Sequence, residues 1–187
     1  MTSSQHSPGR VNPSSMLPFS DKGVTNKFLE DFLVRICDPS YFGGVYASDE
    51  FNIKLLNGQK RKGWIVNLNP KKKKDGGHFV CILQEKNVIF YIDPVGLPCL
   101  SKPLRAMLVK SGKKILFNSS QIQHFQSVAC GMFSVLFLLY FSKKKRGFKM
   151  KFDTVDKKRN DSLCFKYLQK IVNSDEVKLI HVLQNVM

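Results

Sequence analysis

Acidic side chains are scarce in this chain of 187 residues. Aspartate and glutamate number 14, against 30 lysines and arginines, which gives a formal net charge of +16. An excess of this size says little about the fold, but it favours partners that are polyanions, nucleic acid above all.

Two further absences exclude other classes of protein. The five cysteines are widely spaced without a Cys-x-x-Cys pair, which argues against a zinc site and against a disulfide framework. No apolar run reaches the roughly 18 residues of a membrane span, and the N-terminus lacks a signal-peptide pattern. We expect a protein of a reducing compartment, without a membrane partner and without a metal or small-molecule cofactor.

The composition divides the chain into a tail and one domain. Residues 1–22 are rich in Ser, Pro, Gly and Asn, and we predict that they form a disordered tail. Residues 23–187 suit a single domain of ordinary size. There a helix precedes β-rich runs and further helices follow, which predicts an α+β fold with a central mixed or antiparallel sheet covered by helices.

Periodicity places the elements of this domain. The predicted helices are an amphipathic one over Phe28–Ile36, one over Lys102–Val109, one that follows Cys130, and two near the C-terminus, Leu163–Val172 and Glu176–Val186. The predicted strands are Phe51–Leu56, Gly63–Leu68, Asp75–Leu83, Asn87–Asp93 and Lys114–Phe117.

A cysteine lies at the head of the most apolar segment. From Met132 onward apolar side chains cover every face, which is typical of a buried helix. With Ser127 as N-cap, Cys130 falls at the third helical position, where free backbone N–H groups and the helix dipole favour a thiolate. A cysteine in a core helix is also often only a small apolar side chain, so both interpretations remain open.

A predicted hairpin brings a histidine to a carboxylate. With a turn centred on Glu85–Lys86, His78 lies directly opposite Asp93, and Cβ atoms so placed are roughly 4.5–5.5 Å apart. A slip of one residue would put the two side chains on opposite faces, and a buried histidine satisfied by its neighbour would give the same pattern. His124, nearer to Cys130 in sequence, is the rival base.

Thiol, imidazole and carboxylate together form an activated nucleophile. In that arrangement His78 is the base beside Cys130, and Asp93 orients the base. Gln123 lies on the segment that approaches the same helix end, and its amide can donate to the oxyanion of a tetrahedral intermediate. We therefore predict Cys130, His78, Asp93 and Gln123 as catalytic residues.

The order of these residues resembles that of the adenovirus-type cysteine endopeptidases, the adenain family, which are related to SUMO-deconjugating proteases. The motifs that carry the resemblance are His78-Phe79, Asp93-Pro94-x-Gly96, Gln123-x6-Cys130-Gly131 and Tyr41-Phe42-x-Gly44-Val45-Tyr46. The resemblance implies an adenain/Ulp-like cysteine protease fold with the nucleophile at the N-terminus of a buried helix. It also implies the four catalytic roles given above.

For function, the resemblance implies a maturation protease that cleaves viral precursor proteins near Gly-containing sites, in the host nucleus and the virion. It also implies DNA as a cofactor, in agreement with the net charge. The family's disulfide-linked activating peptide is not expected, because Gly112 and its neighbours offer no cysteine for that bond. A ubiquitin- or SUMO-like deconjugating protease and a nucleic-acid-binding virion protein on an inactive protease fold remain as alternatives.

Basic clusters lie away from the predicted catalytic residues. We predict that duplex DNA contacts the side chains of Lys71, Lys72, Lys73, Lys74, Lys143, Lys144, Lys145 and Arg146, with Lys157–Arg159 as a further basic cluster. Such clusters are also common as plain solvated surface, and one of them could be a nuclear localisation signal.

Overall fold

The structure, a computed structural model, describes residues 23–73, 77–143 and 151–173. Its helices are α1 Asn26–Ile36, α2 Lys102–Lys110, α3 Cys130–Lys143 and α4 Lys157–Asn173. Its strands are β1 Phe42–Ala47, β2 Lys62–Asn67, β3 Phe79–Glu85, β4 Val88–Ile92 and β5 Lys114–Phe117. Several predictions lie outside the described residues: the tail over 1–22, Lys74, residues 144–146, and the helix over Glu176–Val186.

The strands form one five-stranded mixed sheet in the order β1-β2-β3-β4-β5. The two edge pairs, β1 with β2 and β4 with β5, are parallel, whereas β2, β3 and β4 are antiparallel neighbours. Helices flank this sheet, so the predicted α+β class is confirmed.

The sheet separates two apolar cores. In β3, Phe79, Cys81 and Leu83 join the core that contains α1, α3 and α4. Val80 and Ile82 point to the other face and pack in the core that contains α2. Because alternate side chains are buried on opposite faces, the strand is apolar throughout, as expected for the centre of a covered sheet.

The prediction of a strand over Phe51–Leu56 is wrong. Residues Ile53–Leu56 form a 3-10 helix, and the side chain of Asn52 accepts a hydrogen bond from the backbone N–H of Lys54 at 3.0 Å. This local bond offers the backbone an alternative to strand pairing, so an apolar run of strand type adopts a helical turn.

The β3–β4 hairpin has a register two residues away from the predicted one. Glu85 pairs with Val88, so the turn is Lys86–Asn87, one residue later than predicted. Lys86 has a φ of 52°, a left-handed conformation that suits a two-residue hairpin turn. A shift of two residues keeps every side chain on its own face, so His78 and Asp93 still share one.

The C-terminal end of α3 is held by Arg61. Its guanidinium donates hydrogen bonds to the carbonyl oxygen of Phe141 and, at 3.4 Å, to that of Ser142. The same group lies 5.0 Å from the centroid of the Tyr41 ring. A cation at this position satisfies free carbonyl groups and faces the negative end of the helix dipole. Arg61 therefore fixes the end of α3 opposite to Cys130.

Candidate active site

The predicted catalytic residues come from separate parts of the fold. His78 immediately precedes β3 and Asp93 immediately follows β4, and these two strands are antiparallel neighbours. The start of one and the end of the other therefore share one edge of the sheet. Cys130 is the first residue of α3, and Gln123 lies in the loop that leads to it.

His78 and Asp93 form a hydrogen-bonded pair. The imidazole Nε2 lies 2.8 Å from Oδ1 of Asp93, whose side chain is 1% exposed. The same Oδ1 accepts the backbone N–H of Val95 at 2.7 Å. Since a carboxylate only accepts hydrogen bonds, Nε2 carries a proton and donates it. The two residues are thus in contact, as predicted, although they are not directly opposite in the ladder.

Asn118 fixes the backbone at Asp93 and was not foreseen from the sequence. Its Oδ1 accepts the backbone N–H of Asp93 at 2.7 Å, and its Nδ2 donates to the carbonyl oxygen of Asp93 at 2.6 Å. Asn118 follows β5, which pairs in parallel with β4. Only this strand pairing brings the two residues together, so the sequence contains no local signal for the contact.

The thiol of Cys130 also acts on the His78 side chain, since it raises the pKa of the ring together with Asp93. The Cys130 Sγ also lies 3.7 Å from the carbonyl oxygen of Gly77. The imidazole therefore bridges the thiol and the carboxylate.

The environment of His78 changes its protonation. Burial by itself lowers the pKa of the ring, but the hydrogen bonds to Asp93 and Cys130, together with the charges of these groups, outweigh it and raise the pKa to about 9. The ring is therefore an imidazolium at neutral pH. An imidazolium beside a thiol is the partner that favours a thiolate.

Two glycines permit the close packing around Cys130. A Cβ on Gly77 would lie 2.0 Å from Oδ1 of Asn67, and a Cβ on Gly131 would lie 2.3 Å from Cγ2 of Val24. Both distances are far below a van der Waals contact, so any other residue would displace its neighbours. A substitution at either glycine would therefore require the side chain of Asn67 or of Val24 to move.

The start of α3 differs from the prediction. The backbone N–H of Phe133 donates to the carbonyl oxygen of Ala129 at 3.0 Å, and Cys130 is therefore the first helical residue, not the third. Ser127 is not the N-cap, because its Oγ accepts the N–H of Ala129 at 3.1 Å and closes a local turn before the helix. Cys130 nevertheless remains in the first turn, at the positive end of the dipole.

Gln123 is buried and anchored beside Asp93. Its backbone N–H donates to the carbonyl oxygen of Pro94 at 2.9 Å, which ties the loop to the residue after Asp93. Its side-chain Nε2 donates to the carbonyl oxygen of Ser127 at 2.7 Å. A primary amide has two N–H donors, and this bond uses one of them.

His124, the rival base, has other partners. Its Nδ1 accepts the backbone N–H of Gln126 at 3.3 Å, and its own backbone N–H donates to Asp161 on α4 at 3.2 Å. The structure therefore brings His78, and not His124, to the Cys130 thiol.

The basic clusters are only partly described. The Nζ of Lys71 forms an ion pair with Glu50 at 2.5 Å, whereas Lys72 and Lys73 are exposed. Lys143 is the last residue of α3, and the rest of its cluster lies outside the described residues. Lys157, in the third cluster, donates to the carbonyl oxygens of the turn that precedes α4.

The described residues lack two features, a metal-binding cluster and a membrane-spanning helix. In residues 23–73, 77–143 and 151–173, no group of three His, Cys, Asp or Glu side chains is placed to hold a metal ion. None of the helices in these ranges combines the length and the apolar character of a transmembrane span. All five cysteines are buried and unbridged.

Comparisons with known proteins give little further information. No protein-family model matches the chain, and no curated protein matches it. Among solved structures, the chain is similar to the central domain of the uncharacterized Lpg1148 protein from Legionella pneumophila, at 11% sequence identity and a TM-score of 0.48. The similarity covers 86% of this chain and 99% of that chain. A similarity at this level carries no argument about function.

Proposed function

We propose that the protein is a cysteine endopeptidase with Cys130 as nucleophile, His78 as base and Asp93 as the group that orients the base. The observation that carries the proposal is the position of the His78 imidazole, whose Nε2 lies 2.8 Å from Asp93 and whose pKa is raised by both Asp93 and the Cys130 thiol. A histidine buried for structural reasons needs partners, but it does not need a thiol at the start of a helix. This arrangement of groups suits nucleophilic catalysis.

Acylation follows from these contacts. The Cys130 thiolate attacks the carbonyl carbon of the scissile amide, a C–S bond forms, and the π electrons move onto the oxygen. The free amide N–H of Gln123 and the backbone N–H of Cys130 stabilise this oxyanion. The His78 imidazolium then gives its proton to the leaving nitrogen as the C–N bond breaks, and the acyl group remains on sulfur.

Deacylation uses the same imidazole as a base. Neutral His78 takes a proton from water while the water oxygen attacks the thioester carbon. Collapse of the second tetrahedral intermediate breaks the C–S bond and releases the carboxylic acid product, leaving thiolate and imidazolium. Asp93 holds Nε2 and keeps the imidazole oriented toward the sulfur.

The substrate class comes from the resemblance to the adenain family. On that basis we propose an adenain/Ulp-like fold, viral precursor proteins as substrates, cleavage near Gly-containing sites, and action in the host nucleus and the virion. The motif order, the α+β class and the position of Cys130 at the start of a buried helix support it. A SUMO- or ubiquitin-like deconjugating protease would use the same residues on another substrate.

Cys130 is expected to be the most readily alkylated of the five cysteines at neutral pH. Burial raises the pKa of the thiols of Cys81, Cys99 and Cys164, which makes them poor nucleophiles. Cys130 instead adjoins an imidazolium. Mass spectrometry after a brief treatment with iodoacetamide, and separately with a peptide vinyl sulfone ending in Gly-Gly, identifies the labelled residue.

The matched control for this experiment is Cys99→Ala, which should leave the vinyl sulfone adduct unchanged, whereas Cys130→Ala should abolish it. Preferential labelling of Cys37 or Cys99 would show that the nucleophile is wrongly assigned. Vinyl sulfones of ubiquitin and of SUMO, used in parallel, separate a deconjugating protease from an endopeptidase. A nucleic-acid-binding protein on an inactive fold would form none of these adducts.

We further propose that duplex DNA binds the basic clusters and holds the protease beside substrates packed with a genome. The net charge of +16 and the exposure of Lys72 and Lys73 support this. Binding through phosphates should be independent of base sequence, and log K should fall against log[salt] with a slope of about −0.9 per phosphate neutralised. Filter binding between low and physiological salt measures that slope.

Matched lysine variants test which side chains are used. Lys72→Gln with Lys73→Gln should flatten the slope by about 0.9 for each lysine that contacts a phosphate. Lys71→Gln should have a smaller effect, because Glu50 already neutralises that ammonium group. Neutral replacements over Lys143–Arg146 should also flatten the slope by about 0.9 for each residue that contacts a phosphate. If the protein fails to bind DNA even at low salt, the charge serves localisation or solubility instead.

A further inference from the structure

Helix α4 contacts the loop that carries Gln123, and we infer that Asn160 and Asp161 are positioning residues for the oxyanion donor. The inference rests on the function proposed above. The Gln123 loop is defined here as residues 122–129, between the end of the sheet and the start of α3. No role for α4 follows from the triad itself, since Asp93 follows β4, His78 precedes β3 and Cys130 begins α3.

Asn160 holds the loop immediately before Gln123. It is 0% exposed, and its Nδ2 donates to the carbonyl oxygen of Ile122 at 2.9 Å and to that of Asp153 at 2.8 Å. Its Oδ1 accepts the backbone N–H of Asp153 at 2.6 Å. Both ends of a buried amide are thus committed, so the residue cannot rotate without leaving a buried polar group unpaired. The position of Ile122 is fixed accordingly.

Asp161 holds the loop immediately after Gln123. Its Oδ1 accepts the backbone N–H of His124 at 3.2 Å, and the Ser127 side chain adjoins the same carboxylate and acts to lower its pKa. Ser127 in turn supplies the carbonyl oxygen that binds the Gln123 amide at 2.7 Å. One carboxylate on α4 therefore fixes both the neighbour of Gln123 and the residue that orients its side chain.

The sheet holds the same loop from the other side. The carbonyl oxygen of Pro94 accepts the backbone N–H groups of both Ile122 and Gln123, each at 2.9 Å. The loop is therefore fixed between the end of β4 and the first turns of α4. An oxyanion donor must be in place before the charge develops, and a misplacement of about 1 Å can cost about 10²-fold in rate. Such a fixed loop meets that requirement.

Asp161→Ala tests the inference in kinetics. With a fluorogenic peptide amide ending in Gly-Gly, we expect kcat to fall by about 10- to 100-fold, while KM changes by less than about twofold, because the donor acts only in the transition state. Asp161→Asn keeps an acceptor oxygen at the same place and should restore most of kcat. A general loss of folding would not be rescued in this way.

A double-mutant cycle separates positioning from a merely structural role. Gln123→Ala alone should lower kcat by about 10²–10³-fold. In that background Asp161→Ala should cost less than about twofold further, because the group that it positions is gone. The matched control is Asp156→Ala. Asp156 accepts the N–H of Arg159 at 2.9 Å at the start of α4. This hydrogen bond does not involve the Gln123 loop, so its removal should leave kcat unchanged.

Hydrogen exchange gives a readout that needs no turnover. In Asp161→Ala, the amide of His124 should exchange at least about tenfold faster than in the unmodified protein, and in Asp161→Asn it should not. A protein without peptidase activity overturns the proposed function, and the exchange rates then still decide whether α4 holds the loop. Unchanged exchange in Asp161→Ala, or an equal loss of kcat with and without Gln123, overturns the inference.

Discussion

His78→Ala is expected to lower kcat/KM for a peptide substrate by about 10²–10⁴-fold, the range that a positioned acid–base group contributes. The variant removes the group that pairs with the Cys130 thiolate and protonates the leaving amine. It also leaves the buried carboxylate of Asp93 with the N–H of Val95 as its remaining Oδ1 contact. Steady-state assays with the Gly-Gly peptide amide, with circular dichroism as a check of folding, measure the effect.

His124→Ala is the matched control for this prediction. His124 lies six residues before Cys130 in the sequence, yet its ring accepts a local hydrogen bond from the backbone N–H of Gln126. Its backbone contact with Asp161 does not depend on the side chain. Activity should therefore stay within about threefold of the unmodified protein. The opposite result for the two histidines would show that the triad is wrongly assigned.

Asp93→Asn is expected to shift the pH dependence of activity as well as its size. The mechanism needs His78 protonated beside the thiolate, and its pKa of about 9 lies above the ordinary value of 6.5. Activity of the unmodified protein should therefore fall as the pH rises through about 9. The asparagine removes the charge that raises this pKa while burial remains, so the alkaline limb should move to lower pH. A profile of kcat/KM from acidic to alkaline pH shows the limb directly.

The same pair links stability to pH. Because the pKa of His78 is raised on folding, its contribution to the free energy of unfolding is complete below about 6.5 and is lost as the pH rises through about 9. Urea unfolding at a series of pH values should show this decline, and Asp93→Asn should reduce it. An alkaline limb and a stability decline that both remain in Asp93→Asn would show that Asp93 does not control the ring.

The β3–β4 hairpin shows which structural features the sequence pattern could predict. Alternation along β3 and β4 is a local property, so the face shared by His78 and Asp93 could be predicted. The register depends on the turn, and Lys86 takes a positive φ that glycine or asparagine would ordinarily signal. The predicted turn was therefore one residue early. The contact survived this error because side chains repeat with a period of two.

Contacts between distant segments could not be predicted in this way. Asn118 reaches Asp93 across 25 residues and Asp161 reaches His124 across 37. Neither follows from periodicity, since each depends on which strands and helices become neighbours. The prediction that Ser127 caps α3 was wrong for a different reason. Its side-chain oxygen accepts a hydrogen bond in a turn before the helix. Residue type predicts a capacity for hydrogen bonding, and the fold decides where it is used.

Helix α3 couples the position of Cys130 to the contacts at its opposite end. Its 14 residues span about 21 Å at 1.5 Å per residue, with the nucleophile at one end and the contacts of Arg61 at the other. A tilt of about 3° around the Arg61 end would move Cys130 by about 1 Å, a displacement comparable to those that cost about 10²-fold in rate. The position of the Cys130 sulfur relative to His78 thus depends on Arg61, which lies a whole helix length from the candidate active site.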